Sequence, residues 1–241
     1  METWKYGQNT FLSLTAESYK LMNILLSDHV ARMIATQGAD SDFMAIVSRN
    51  APIKIAWDTA YQAWIAIRGT YKGKTQAWEM KLADLSTLRI KQWDITIQGT
   101  FLEGTGEYTQ LLPNGRAPFQ SGAYDLRLAE VKALQNRLLT VSPAVPALTT
   151  LAATIGTYHA EMKTLRDSQQ GAEQQVDSLS TLLEIQRLAA ATVMYKNLGR
   201  LMEKFSDMPV RIEDYYDMNY IRDGAAAPPE DVPPPVIPPV P

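Results

Sequence analysis

The stretch Gly69-Thr-Tyr-Lys-Gly-Lys-Thr75 carries the Gly-Lys-Thr triplet of a phosphate-binding loop. Such a loop needs four residues between its first glycine and the Gly-Lys pair, because successive backbone N–H groups must wrap the β-phosphate. Gly69 to Gly73 leaves three. Ala63 to Ile67 could form the strand in front, but no apolar strand ending in aspartate supplies a magnesium ligand, since Asp94 follows Lys91-Gln92-Trp93. The motif therefore reads as part of a helix. Gly69, Gly73 and Ala77, at steps of four, then predict a kink or a close helix crossing.

Other chemistry is equally short of parts. His29 and His159 have no carboxylate at metal-ligand helical spacing, and HExxH, Glu-x-x-His and GxSxG patterns are absent. The chain has no cysteine, which removes disulfides, thiolate metal sites and cysteine nucleophiles. Glu213 to Asp217 gathers three carboxylates and two tyrosines, and a solvated or interface arm explains that cluster as well as a cation site does. The sequence predicts a non-enzymatic protein with no cofactor and no metal.

The elements around the motif carry more information. Trp57, Trp64, Tyr71, Trp78 and Leu85 stand seven residues apart, which on a helix places four aromatics along one seam running through the glycines. Aromatic core positions of a bundle account for this better than an exposed ridge. In the second half Leu148, Leu151, Ile155, Tyr158, Met162, Leu165, Gln169, Ala172, Val176, Leu179 and Leu183 alternate steps of three and four, and no proline lies between Pro146 and Pro209. That pattern predicts one helix continuing through the lone Gly171. Beyond Leu183 the stripe shifts register to Met194, Leu198, Leu201 and Phe205.

Shorter elements follow from similar signals. Apolar steps from Leu14 to Ile34 predict a helix over about 15–36, with Gly38 as its stop. A short segment over 42–50 is closed by Pro52. Trp93, Ile95 and Ile97 alternate as in a strand or a frayed helix end. Residues 104–125 are rich in turn formers yet hold Leu111, Leu112 and Phe119, so a crossover loop packed on the protein is expected. A helix over 125–139 comes next, and residues 210–223 form a short aromatic, acidic helix or arm. Eight of the last fourteen residues are proline, so 224–241 is expected as an extended polyproline tail.

The expected fold is all-α: an elongated antiparallel helical bundle with coiled-coil-like helices over 1–223 and the proline-rich tail over 224–241. With 46% hydrophobic residues among 241, the chain can bury a sizeable core. A net charge of −3 without a basic block argues against nucleic acid. The uncharged run Leu138–Ala160 is interrupted by Pro143 and Pro146, so a membrane helix is not expected, although a pore-forming toxin would keep an inserting segment there. Neither a signal peptide nor a membrane helix is read, which suits a cytoplasmic, virion-associated or signal-independently exported protein.

The functional expectation is a self-associating structural protein of a virus-like particle, filament or appendage. It forms a homo-oligomer through its helices and docks its tail on a neighbour or a protein partner. The candidate interface residues are Trp57, Trp64, Tyr71, Trp78, Tyr215, Tyr216, Val236 and Ile237. An adaptor displaying a polyproline ligand is the other alternative.

Overall fold

The computed structural model describes residues 9–15, 18–36, 38, 40–141 and 145–222, and all regular structure among them is helical. The elements are α1 (Thr10–Leu14), α2 (Tyr19–Thr36), α3 (Ser41–Asp84), α4 (Ile90–Gln98), α5 (Gly106–Leu111), α6 (Ala117–Gln120), α7 (Tyr124–Val141), α8 (Pro146–Lys204) and α9 (Met218–Arg222). A π-helical turn, Leu85–Arg89, joins α3 to α4, and a 3-10 turn, Pro209–Tyr215, precedes α9. The expected all-α class is the observed one. The proline-rich tail, with Val236 and Ile237, lies outside the described residues, as does Pro143.

Helix α3 differs most from its expectation. It is capped by Asp40, whose carboxylate accepts from the N–H groups of Asp42 and Phe43, and it runs through Pro52 without a break. Proline in a helix interior costs about 3 kcal/mol through the lost N–H bond and the clash with residue i−4. Here Pro52 and Ser48 both lie on the exposed face, so the carbonyl that Pro52 leaves unbonded can be hydrated. At the amino end the helix expected over about 15–36 is observed as α2, Tyr19–Thr36, and the short α1 precedes it. Thr15 closes α1 with its hydroxyl on the Phe11 carbonyl, and the Ser18 hydroxyl accepts from Leu21 N–H at the start of α2. Helix α8 is continuous through Gly171, as its seam predicts.

The chain divides into two compact units that share α3 and α8. The first comprises the described residues up to Ile67 together with those from Val176 onward. Its core joins Phe11, Met22, Leu25, Leu26 and Met33 to Trp57, Leu183, Met194, Leu201, Tyr215 and Tyr216. Asp42 pairs with Lys204, Asn50 with Asn197 and Trp64 with Ser180, so residue numbers rise along α3 as they fall along α8. The buried stripe of α8 takes one extra step of four, Leu179–Leu183–Arg187, and then continues through Ala190, Met194, Asn197 and Leu201. The register shift is therefore real, but two of the positions after it are polar.

The second unit, Arg68–Gln175, packs Trp78, Leu85, Ile90, Trp93 and Ile97 against Leu111, Phe119, Val131, Leu134, Leu138, Leu148, Ile155 and Met162. Its crossover segment is packed down as expected, with Tyr108, Leu111, Leu112 and Phe119 buried. Gly104 and Gly122 turn the chain at φ of 89° and 103°, where a side chain would be strained. The strand option for residues 93–97 is overturned. They are helical, with Trp93 and Ile97 inside and Ile95 outside.

The reason lies in the π turn. Buried residues along this helix run 78, 82, 85, 90, 93 and 97, so the steps of three and four are broken once by a step of five. The extra residue is absorbed where Ile90 N–H bonds back to the Leu85 carbonyl, and the buried face continues in line beyond it.

Candidate functional site

The phosphate-loop motif sits wholly inside α3. A helical backbone commits its N–H groups to carbonyls along the axis, so Gly69 and Gly73 offer no cradle for an anion. The expected close crossing at these glycines is also corrected, because a Cβ built on either meets nothing within 4 Å. Close approach occurs instead at Gly156 on α8, where a Cβ would stand 2.3 Å from Gln135 Nε2 on α7.

Two polar clusters stand out. The first surrounds the π turn in the second unit. Shifting from i+4 to i+5 pairing disturbs the carbonyl ladder, and side chains take up the carbonyls on its amino-terminal side. Tyr158 Oη donates to Lys81 O (2.9 Å), Arg127 Nη2 to Leu82 O (2.9 Å) and Thr87 Oγ1 to Ala83 O (2.7 Å). Gln120 Nε2 reaches Ser86 O at 3.3 Å. Donors from α6, α7 and α8 thus converge on one turn.

Around Tyr158 lie Asp84, which accepts from its hydroxyl at 3.1 Å and pairs with Arg89 at 2.9 Å, and Lys81, whose ammonium lies over the ring and pairs with Glu161 at 2.6 Å. Burial, and then the neighbouring Asp84 carboxylate, push the Tyr158 phenol above its ordinary value. It stays protonated as a donor. Burial lowers Arg127, which takes backbone carbonyls at Leu82 and Phe119. The opposed charges are matched one against another, and the geometry serves to brace a helix irregularity.

The second cluster is the centre of the first unit. His29, Asn50 and Asn197 are all fully buried, on α2, α3 and α8 respectively. His29 Nδ1 lies 3.0 Å from the Tyr215 carbonyl, which can only accept, so Nδ1 carries the proton. Nε2 then accepts from Asn197 Nδ2 at 3.0 Å, and that same Nδ2 donates to Asn50 Oδ1 at 2.7 Å. Asn197 Oδ1 and Asn50 Nδ2 have no hydrogen-bond partner among the described residues. The imidazole stacks on Tyr216 at 4.4 Å and 6°, and the Tyr216 hydroxyl donates to Met194 O at 2.9 Å. Burial pulls the His29 pKa down to about 4, against the opposing pull of the Tyr215 carbonyl and Asp28. Nothing in this group faces water, so no substrate reaches it.

The residues singled out from the sequence occupy these same cores. Trp57 and Trp78 are fully buried, and Trp64 nearly so. Trp57 Nε1 donates to Asn23 Oδ1 and Trp64 Nε1 to Ser180 Oγ, each at 3.0 Å, whereas Trp78 Nε1 has no partner among the described residues. Tyr71 is half-buried. Tyr215 and Tyr216 are packed into their own chain. The aromatic seam is thus closed within one molecule and does not by itself demand a second copy. Of the acidic cluster, Asp214 points to solvent, and its backbone carbonyl takes Arg32 Nη1 at 3.3 Å. His29, Asn50 and Asn197 were not legible as a group. Their one signal was a pair of polar residues, Arg187 and Asn197, standing where the α8 stripe should be apolar.

Among the described residues no cluster of His, Cys, Asp or Glu could hold a metal ion, and no helix is long and apolar enough to cross a membrane. Within the run Leu138–Ala160, Leu148 and Ile155 are core residues. No family model matches the chain, and comparison with curated proteins and with solved structures returned no match. The class that the fold defines is an all-helical protein with two packed cores.

Proposed function

We propose that this chain is a non-enzymatic assembly protein that self-associates through the outer face of its α3–α4 helix. The single observation that supports this reading is an apolar ridge in the second unit: Met80 (67% exposed), Leu88 (46%), Ile95 (69%) and Leu102 (74%). Leu88 and Ile95 are seven apart on the helix, the residue added by the π turn brings Met80, eight before Leu88, toward the same side, and Leu102 lies in the turn beyond Gln98. An exposed line of large apolar side chains at this spacing is suited to a facing helix. The reading treats the chain as an antiparallel bundle whose own seams are internal. Its tail, residues 224–241, docks on the neighbouring subunit.

The test is light scattering with sedimentation of the full chain at high concentration, alongside a Leu88→Lys/Ile95→Lys double variant. Both positions are exposed, so the variant keeps its melting temperature. The wild type is expected to be oligomeric and the variant monomeric. A monomeric wild type, or an oligomer unaffected by the two lysines, overturns the proposed face. Truncation after residue 223 should weaken the assembly.

A further inference from the structure

We propose that His29 is the catch of an acid-released latch: neutral, it holds the carboxyl-terminal arm, residues 209–222, on the first unit, and proton uptake at Nε2 lets that arm go. The arm crosses the imidazole at two points, through the Tyr215 carbonyl on Nδ1 and the Tyr216 ring stacked on its face. Both ring nitrogens are engaged, and the Nε2 partner is a donor, Asn197 Nδ2. A proton on Nε2 would set N–H against N–H.

Among the described residues no carboxylate contacts the ring, and Asp28, which favours the cation from a distance, is already paired. On α2, Asp28 turns to Arg32, with its two oxygens 2.9 and 2.8 Å from Arg32 Nε. Helix α3 contributes Asn50 and α8 contributes Asn197, both uncharged amides. The arm itself brings Tyr216, whose phenol burial holds above its ordinary value, while Asp214 faces solvent. A charged imidazole here must be hydrated. α2, α3 and α8 are helices of 18, 44 and 59 residues, whereas the arm is a 3-10 turn of seven residues and a helix of five. Opening the arm is the smallest rearrangement that admits water, and it uncovers Phe11 and Phe43, on which Tyr216 and Tyr215 stack.

The two unpartnered amide atoms define the competing outcome. Rotating the Asn197 and Asn50 amides together would turn Asn197 Oδ1 toward Nε2–H and Asn50 Nδ2 toward that same oxygen, keeping the arm shut. Hydrogen exchange of the full chain, corrected for intrinsic rates and followed from pH 7 to pH 4, separates the two. A histidine held at about 4 in place of 6.5 shifts the open–closed balance by about 100-fold over that range. Peptides from 209–222 should lose that much protection, tenfold per pH unit below 6.5, while α7 peptides do not change.

His29→Gln should make arm exchange independent of pH, and His159→Gln should leave the wild-type response. Because His29→Gln could fail to fold, nitrogen NMR of the wild-type imidazole provides the second measurement: an Nδ1–H tautomer at neutral pH, titrating together with arm exchange. Flat arm exchange, the same response in His29→Gln, or titration of His29 with the arm still protected overturns the latch.

Discussion

The π-turn cluster and the His29 core both anchor side chains on backbone carbonyls, yet they sit in opposite surroundings. At the π turn, Lys81 and Arg89 each find a carboxylate, with Glu161 and Arg89 partly in water, and the buried Arg127 is held by backbone carbonyls. In the His29 core, three polar side chains are fully buried with no ion pair among the described residues, and two amide atoms have no partner among them. Exposed pairs contribute little individually because water competes for them. Buried, incompletely paired groups carry the desolvation cost of each missing bond. The second unit therefore uses polarity to brace a shape, and the first uses it to fix one arrangement that holds only while His29 is neutral.

The largest test of the contrast targets the shape. Inserting one alanine between Thr87 and Leu88 adds a second extra residue, which would turn Ile90, Trp93 and Ile97 by about 100° away from the core. At about 1.5–3 kcal/mol for each large side chain, the loss should be about 5–9 kcal/mol in urea unfolding. Deleting Thr87 restores plain steps of three and four and should cost far less. Equal losses from insertion and deletion would show that the π turn does not set the register.

Acid provides the next test. The folded pKa of His29 is about 4, below the unfolded value of 6.5, so the unfolded chain takes up the proton first. Its contribution is fully present above pH 6.5 and is lost as the pH falls toward 4, by about 3 kcal/mol in all. Denaturant midpoints measured across that window should move accordingly in the wild type but not in His29→Gln.

Asn197→Ala strands His29 Nε2 and Asn50 Oδ1 and should destabilise by about 2 kcal/mol. Tyr158→Phe, at the half-wet brace, should cost only about 1 kcal/mol, read as a shift in melting temperature. If Tyr158→Phe proves the more costly of the two, the assignment of the dry and wet clusters is reversed.

Much of the architecture was legible. The seam of α8 needed only residue spacing, because burial of one helical face imposes steps of three and four, and the lone Gly171 could not stop so long a pattern. The aromatic heptad likewise placed Trp57, Trp64, Trp78 and Leu85 on one buried face. Pro52 misled because it lies on the exposed face, where the Ser48 carbonyl it strands can be hydrated and the helix runs on. Trp93, Ile95 and Ile97 misled because the five-residue step at Leu85–Ile90 conceals the helical period from a reader who expects three and four.

Sequence by itself determined that this chain is helical, where its longest helix runs, and which faces are apolar, since these follow from local periodicity and the chemistry of each residue. The tertiary structure alone decided that the seams close within one molecule, that an eight-residue gap becomes part of an outward ridge, and that His29, Asn50 and Asn197 meet. Those outcomes depend on distant segments sharing one volume. Their hydrogen bonds join residues 147 to 186 positions apart, and no local pattern records such a pairing.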